Sequence, residues 1–401
     1  MQSIAARILP TIVVSQFMCT SVWFAGNAVV SDITLALSAD EHFLGDLTSA
    51  VQLGFISGTL VFALLAIADR FSPTRVFFIC ALIGAACNAT VAIEGISTNA
   101  VLGCRVLTGF FLAGIYPVGM KIASDYYQKG LGRSLGWLVG ALVVGTAFPH
   151  LLKSFNTGLP WTSVVIGSSL FAVAGGVIMM LLVPDGPHRK PVMRLNVRAS
   201  FSGFSNRDFS AAASGYFGHM WELYTFWAFV PVMLAFNNRF NIDDLDIPAM
   251  SFVIIASGGV ACVVSGFLSE RFGAHRVAFG ALLLSGLCCL LSPFVLTTNH
   301  SSVLMAFLIF WGMVVVADSP LFSSLVARHA EEKTRGSSLT IVNCVGFAIT
   351  IASIQLANRL LPATGTQYLF LVLAPGPVFG LLAMNRYRDA SHKKTSRVQE
   401  V

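Results

Sequence analysis

A chain of 401 residues that is 55% hydrophobic and only 11% charged, with a mean hydropathy of +0.76, has too little polar surface to cover itself in water. Soluble proteins carry roughly 25% charged residues. The net charge of +6 is distributed as a topology signal rather than as a patch for nucleic acid. Apolar runs of about 20 residues recur, the length a helix needs to cross roughly 30 Å of hydrocarbon, and the short alternating strands of an outer-membrane barrel are not what these runs resemble.

Twelve spans are predicted: 8–30, 43–68, 76–94, 99–123, 134–154, 162–184, 209–236, 248–269, 277–297, 302–327, 338–360 and 366–385. The first begins just after Arg7 and is too long for a signal-peptide core, so it reads as a retained helix. With the N-terminus placed in the cytoplasm, twenty Lys and Arg residues fall on the cytoplasmic side. Only Lys153, Arg239 and Arg359 fall on the other. That asymmetry predicts both termini in the cytoplasm and a multi-pass location in the inner (plasma) membrane. The organisation follows: an N-terminal six-helix bundle (1–184), a basic linker (185–208) close to the anionic leaflet, a C-terminal six-helix bundle (209–385) and a cytoplasmic tail (386–401). The eight cysteines all lie in apolar segments without CxxC spacing and read as small buried hydrophobes, so neither a disulfide frame nor a metal or other cofactor is expected.

The two halves echo each other. ADRFSPTRV (68–76) follows the second span and SERFGAHRV (269–277) the eighth, so Asp69 and Glu270 occupy equivalent places 201 residues apart. GFFLAGIYP (109–117) and GMVVVADSP (312–320) repeat in the same way. Paired six-helix halves are a transporter plan, with the site between them near the membrane midplane.

These loops resemble the major facilitator superfamily signature GxLADRxGRR. The second copy, GFLSERFGAHR (266–276), keeps both glycines; in the first, Leu65 and Ser72 replace them. RVLTGFFLAG (105–114) resembles the family's RxxxGxxxA motif, and Gly136, Gly145 and Pro149 partly match its antiporter motif. The resemblance covers essentially the whole chain. It implies an all-α membrane fold of twelve helices in two pseudo-symmetric bundles, working by alternating access, and it implies that Arg105 can serve proton coupling.

The loop acids have a physical reading of their own. Asp69, Arg70 and Arg75, with Glu270, Arg271 and Arg276, could latch the cytoplasmic face through ion pairs and helix dipoles, or could simply anchor the topology.

Four charged residues fall at membrane depth: Asp46, Arg105, Glu222 and Asp318. Each costs about 2.5–3.5 kcal/mol there unless it faces a cavity or a partner. Asp46 and Arg105 sit within about two turns of the same membrane face and could pair, as a coupling device or as a structural bridge. His219, three residues before Glu222, shares its helical face with Gly215, Tyr216 and Phe226, which reads as a cavity wall. Glu222 and His219 are candidates for carrying a proton or substrate, or for a structural hydrogen bond. Pro117 and Pro320 loosen spans four and ten. Trp23, Asn27, Tyr116, Trp221, Asn343 and Gln355 are candidate cavity residues.

No nucleophile–base constellation and no phosphate-binding loop appears in the sequence, so neither an enzyme nor an ATP-driven pump is expected. The expected function is secondary active transport, by symport or antiport, of a small polar or amphiphilic metabolite. It is expected to be proton-coupled, to act as a monomer and to have the lipid bilayer as its setting. Efflux of drugs or siderophores is an alternative. An inorganic-anion porter of the nitrate, nitrite or cyanate kind is another, weakened by one deep Arg against three acids.

Overall fold

The computed structural model describes residues 2–127, 131–155, 158–189, 201, 203–239, 245–332 and 334–386. Most of the basic linker and nearly all of the tail lie outside the described residues. Every regular element among those described is helical.

The first crossing is not the single span expected over 8–30. It consists of α1 (Gln2–Thr20), a turn at 21–24, the single turn α2 (Ala25–Ala28) and α3 (Val30–Leu37). Then come α4 (Phe43–Leu64), the short α5 (Ile67–Arg70), α6 (Pro73–Thr90), α7 (Thr98–Leu112), α8 (Tyr116–Tyr126), α9 (Leu131–Phe155) and α10 (Thr162–Leu182). The second half holds α11 (Arg207–Asn237), α12 (Ile247–Phe272), α13 (Ala274–Val295), α14 (Ser301–Ala317), α15 (Ser319–His329), α16 (Arg335–Leu369) and α17 (Pro375–Met384). Where a loop was expected between spans eleven and twelve, α16 runs on and kinks at Gly365, whose φ of 67° suits glycine.

Helix starts follow local chemistry. Ser72 caps α6 with Pro73 behind it, Ser97 caps α7, and the Asn206 side-chain carbonyl oxygen accepts from two N–H groups of α11. Pro117 and Pro320 stand in the first turns of α8 and α15, and the fourth and tenth crossings break just before them.

Nine stretches among the described residues are long and apolar enough to cross a membrane, and the last of them, Arg335–Met384, contains two crossings joined at Gly365. The other two crossings are the broken first one and α11, which carries Arg207, Asp208 and Glu222. Leu53, Leu170, Val260, Leu290 and Phe379 stand exposed along the outer surface, which a bilayer would cover.

The halves meet along two seams, α9 on α12 and α4 on α16. Within the first half, α4 and α7 nearly touch. A Cβ added to Gly54 would lie 1.9 Å from the Val106 carbonyl oxygen, and one added to Gly109 would lie 2.0 Å from that of Val51. Membrane helices gain their association from such close packing, which larger residues forbid.

Candidate functional site: a central cavity and a buried acid–histidine cluster

Between the halves lies a cavity of about 380 Å³. Tyr116 lines it from α8, and Val139 and Val143 from α9. From α11 it receives Tyr216, Met220, Leu223, Tyr224 and Trp227. Leu142, Val316, Ser319, Ser323, Asn343 and Phe347 complete the wall, and none of its described lining residues is charged. Above it, an aromatic layer joins the halves. Trp23 stacks on Phe347 at 5.8 Å and lies 5.9 Å from Tyr224, while Phe55 reaches Phe347 at 4.4 Å.

The seam beyond that layer is polar. Gln355 donates to Asp46 Oδ1 and Ser49 Oγ, each at 3.0 Å, and Asn358 donates to the His42 carbonyl at 2.7 Å. All three bonds join α16 to the start of α4.

Glu222 does not face the central cavity, contrary to the expectation. It is fully buried inside the C-terminal half, accepting from Trp311 Nε1 at 2.6 Å and Ser285 Oγ at 3.0 Å. The helical wheel explains the error. At 100° per residue, Gly215, His219, Glu222 and Phe226 share one face of α11. Tyr216, assigned to that face, belongs with Met220, Leu223, Tyr224 and Trp227 on the face that lines the cavity. Periodicity separates two faces; only packing says which one meets the other half.

His219 Nδ1 lies 2.8 Å from Asp318 Oδ1, both side chains 1% exposed. Asp318 sits at the break between α14 and α15, and the next residue, Ser319, lines the cavity. The structure thus joins two candidates that the sequence placed 99 residues apart and sets Glu222 one turn along the same face.

Arg105 and Asp46 do not pair. Asp46 is taken by Gln355, while the fully buried Arg105 donates to the Val22 carbonyl and Asn88 Oδ1 at 3.0 and 2.9 Å and also to the Trp23 carbonyl. The break at 21–24 leaves carbonyls without helical partners, and the guanidinium fork satisfies them. Asn88 passes the network on to Ser169 Oγ and the Val165 carbonyl, at 3.0 and 3.1 Å.

The cavity candidates divide. Tyr116 and Asn343 line it, and Asn343 accepts from the Tyr216 hydroxyl at 3.0 Å. Trp23 belongs to the layer above. Trp221 instead donates to the Val372 carbonyl at 2.9 Å, Asn27 donates to Thr48 at 2.7 Å, and Gln355 closes the far seam. Sequence reasoning misses Tyr224, Trp227 and Phe347, since aromatics in an apolar run carry no mark of a cavity. It misses Trp311 and Ser285 because their role exists only through Glu222.

Among the loop residues, Asp69 pairs with Lys121 of α8 at 3.0 Å, and Lys121 also reaches Asp125 at 3.4 Å. The partner is therefore neither Arg70 nor Arg75, both exposed, and it lies in the same half. Glu270, Arg271 and Arg276 are exposed, and no ion pair joins them to the other half among the described residues. Arg189 instead donates to the Asp69 and Phe71 carbonyls at 3.2 and 2.7 Å, fastening the start of the linker to the first loop.

Two repeated halves of six helices, proline-broken fourth and tenth crossings and a cavity between the halves define a membrane transporter of the two-bundle kind. The sequence matches the profile of the Major Facilitator Superfamily over residues 12–353 and again over 212–400. The chain belongs to that family, and it is a transporter rather than an enzyme.

Solved structures of the same fold include a bacterial homologue of the human lysosomal transporter Spinster in an inward-facing, unoccupied conformation. It is 14% identical, with 96% of this chain and 95% of that one covered and a TM-score of 0.68. The human organic anion transporter MFSD10 is 15% identical, with 96% and 99% covered and a TM-score of 0.70. The nucleoside transporter NupG, solved as a point mutant, is 13% identical, with 95% and 100% covered and a TM-score of 0.70. At these identities the shared property is the fold. No curated protein matches the sequence.

Proposed function

We propose that the protein is a proton-coupled secondary transporter that moves a small polar or amphiphilic metabolite by alternating access, as a monomer in the inner (plasma) membrane with both termini cytoplasmic. The observation that carries the coupling is the His219–Asp318 contact, buried beside the cavity at the break of the tenth crossing. A proton taken up there removes or rearranges a charge in a low-dielectric site, and the break next to Ser319 gives that change a route to the cavity wall. In the conformation described, the α4–α16 seam joins the halves on the side of Asp46. Releasing the bonds of Asp46, Ser49 and His42 to α16 would open that side, while Asp69–Lys121 and the Arg189 clasp hold the first loop rigid as the halves rock.

The test is a solute screen in proteoliposomes with an imposed pH gradient. A transported solute accumulates when the gradient is present and only equilibrates when it is collapsed. Accumulation indifferent to the gradient removes proton coupling from the reading.

A further inference from the structure

We infer that the central cavity takes an uncharged, flat amphiphile rich in hydrogen-bond acceptors, oriented by the Trp227 indole N–H and the Asn343 amide. The inference rests on the cavity's being the transport site and adds the class of its substrate.

Three observations carry it. First, no described lining residue bears a charge, and the buried acids of the C-terminal half already have partners, Asp318 with His219 and Glu222 with Trp311 and Ser285. An ion entering would lose its hydration without gaining a counter-ion, a loss of more than about a thousandfold in affinity. The ring faces repay a cation by roughly ten- to thirtyfold and repay an anion nothing, since their quadrupoles are negative at the face; the Trp227 and Asn343 donors return an anion only part of its lost hydration.

Second, the walls are aromatic on several sides. Tyr116 stands on one half, and Tyr216, Tyr224, Trp227 and Phe347 on the other, with Tyr224 5.1 Å from Trp227 and 5.3 Å from Phe347. A thin, flat body offers such walls the most contact for the volume it displaces.

Third, the uncommitted polar groups are biased towards donors. The Trp227 indole nitrogen is buried in a side chain 1% exposed and has no hydrogen-bond partner. It can only donate. Asn343 accepts the Tyr216 hydroxyl on Oδ1, which leaves its NH2 as the group on offer. A buried donor without an acceptor is penalised, so a ligand carbonyl or ring nitrogen supplies what the cavity lacks.

The experiment is equilibrium binding to the full chain in lipid nanodiscs at uniform pH, with four bicyclic probes of similar size. They are 2-quinolone (neutral, with a carbonyl), 2-methylnaphthalene (no acceptor), 2-naphthoate (anion) and 2-naphthylmethylammonium (cation). The expected order puts 2-quinolone first and both ions last. Trp227→Phe, which keeps a ring but removes the N–H, weakens 2-quinolone roughly three- to tenfold and leaves 2-methylnaphthalene unchanged. The order of probes on the native chain is a second measurement, independent of how the variant folds. An ion binding as well as 2-quinolone, no 2-quinolone binding up to its solubility limit, or a folded Trp227→Phe chain with undiminished 2-quinolone affinity overturns the inference. No gradient enters this experiment. Binding in the expected order alongside gradient-indifferent transport removes proton coupling alone, and gradient-driven transport of a charged solute removes the substrate class alone.

Discussion

His219 and Asp318 meet 2.8 Å apart at the point where the tenth crossing breaks, with both side chains sealed from solvent. A pair in that position can exist as an ion pair or, one proton richer or poorer, as a hydrogen bond, so it suits a coupling site better than a static brace. Asp318→Asn and His219→Gln are expected to abolish gradient-driven accumulation while solute counterflow, which needs no net proton movement, persists. Loss of both activities in folded protein would assign the pair to architecture instead.

Glu222 is expected to behave differently. Gln can accept from Trp311 with its carbonyl and still donate to Ser285, whereas Leu strands both groups. Glu222→Gln should leave thermal stability near native, and Glu222→Leu should lower it by about 1–3 kcal/mol. Thermal unfolding in detergent compares the two. Equal stability of both variants would mean that the bonds to Trp311 and Ser285 hold little together.

Arg105 holds the first crossing open at its break through Val22, Trp23 and Asn88. Lysine keeps the charge but cannot span the three acceptors. Arg105→Lys is therefore expected to destabilise the fold by about 2 kcal/mol, and Arg105→Met by more, since it leaves the carbonyls bare as well. A lysine variant of native stability with transport lost would shift the residue's role from holding the backbone to coupling.

The α4–α7 contact makes a sharper structural prediction. Valine at Gly54 or at Gly109 would drive a methyl-bearing carbon into a backbone carbonyl on the opposite helix. Either Gly54→Val or Gly109→Val should fail to give monodisperse protein. Gly103, on α7 but with open space around its Cβ position, is the control: Gly103→Ala should purify as the native chain does.

The polar seam of α4 and α16 offers a test of alternation itself. With cysteines introduced as Ser49→Cys and Gln355→Cys, a short bifunctional thiol reagent should link the halves on that side, stop transport and leave binding from the other side intact. The native cysteines are all free and largely buried, so the cross-link is compared with the unsubstituted chain. Undiminished transport by fully cross-linked protein would show that this seam need not open.

The fold was largely legible in the sequence because a bilayer imposes a one-dimensional rule. Each crossing must supply about 20 apolar residues and satisfy its own backbone, so composition alone marks the helices, and the paired loops at Asp69 and Glu270 mark the repeat. The exceptions are places where a side chain from elsewhere repairs a broken backbone. The first crossing reads as continuous because nothing in residues 21–24 announces that Arg105 will reach their carbonyls.

By itself, then, the sequence determined the class, the twelve crossings, the halves and the short list of costly charges, since each of these depends on a local run of residues or on a repeat. The tertiary structure decided what each charge touches. It joined His219 to Asp318, withdrew Glu222 into its own half, separated Asp46 from Arg105 and turned Tyr224 and Trp227 towards the cavity. The physical reason is that a helix displays all its faces in sequence. Which face becomes wall, core or lipid surface depends on how its neighbours pack, and that is a property of the assembled bundle.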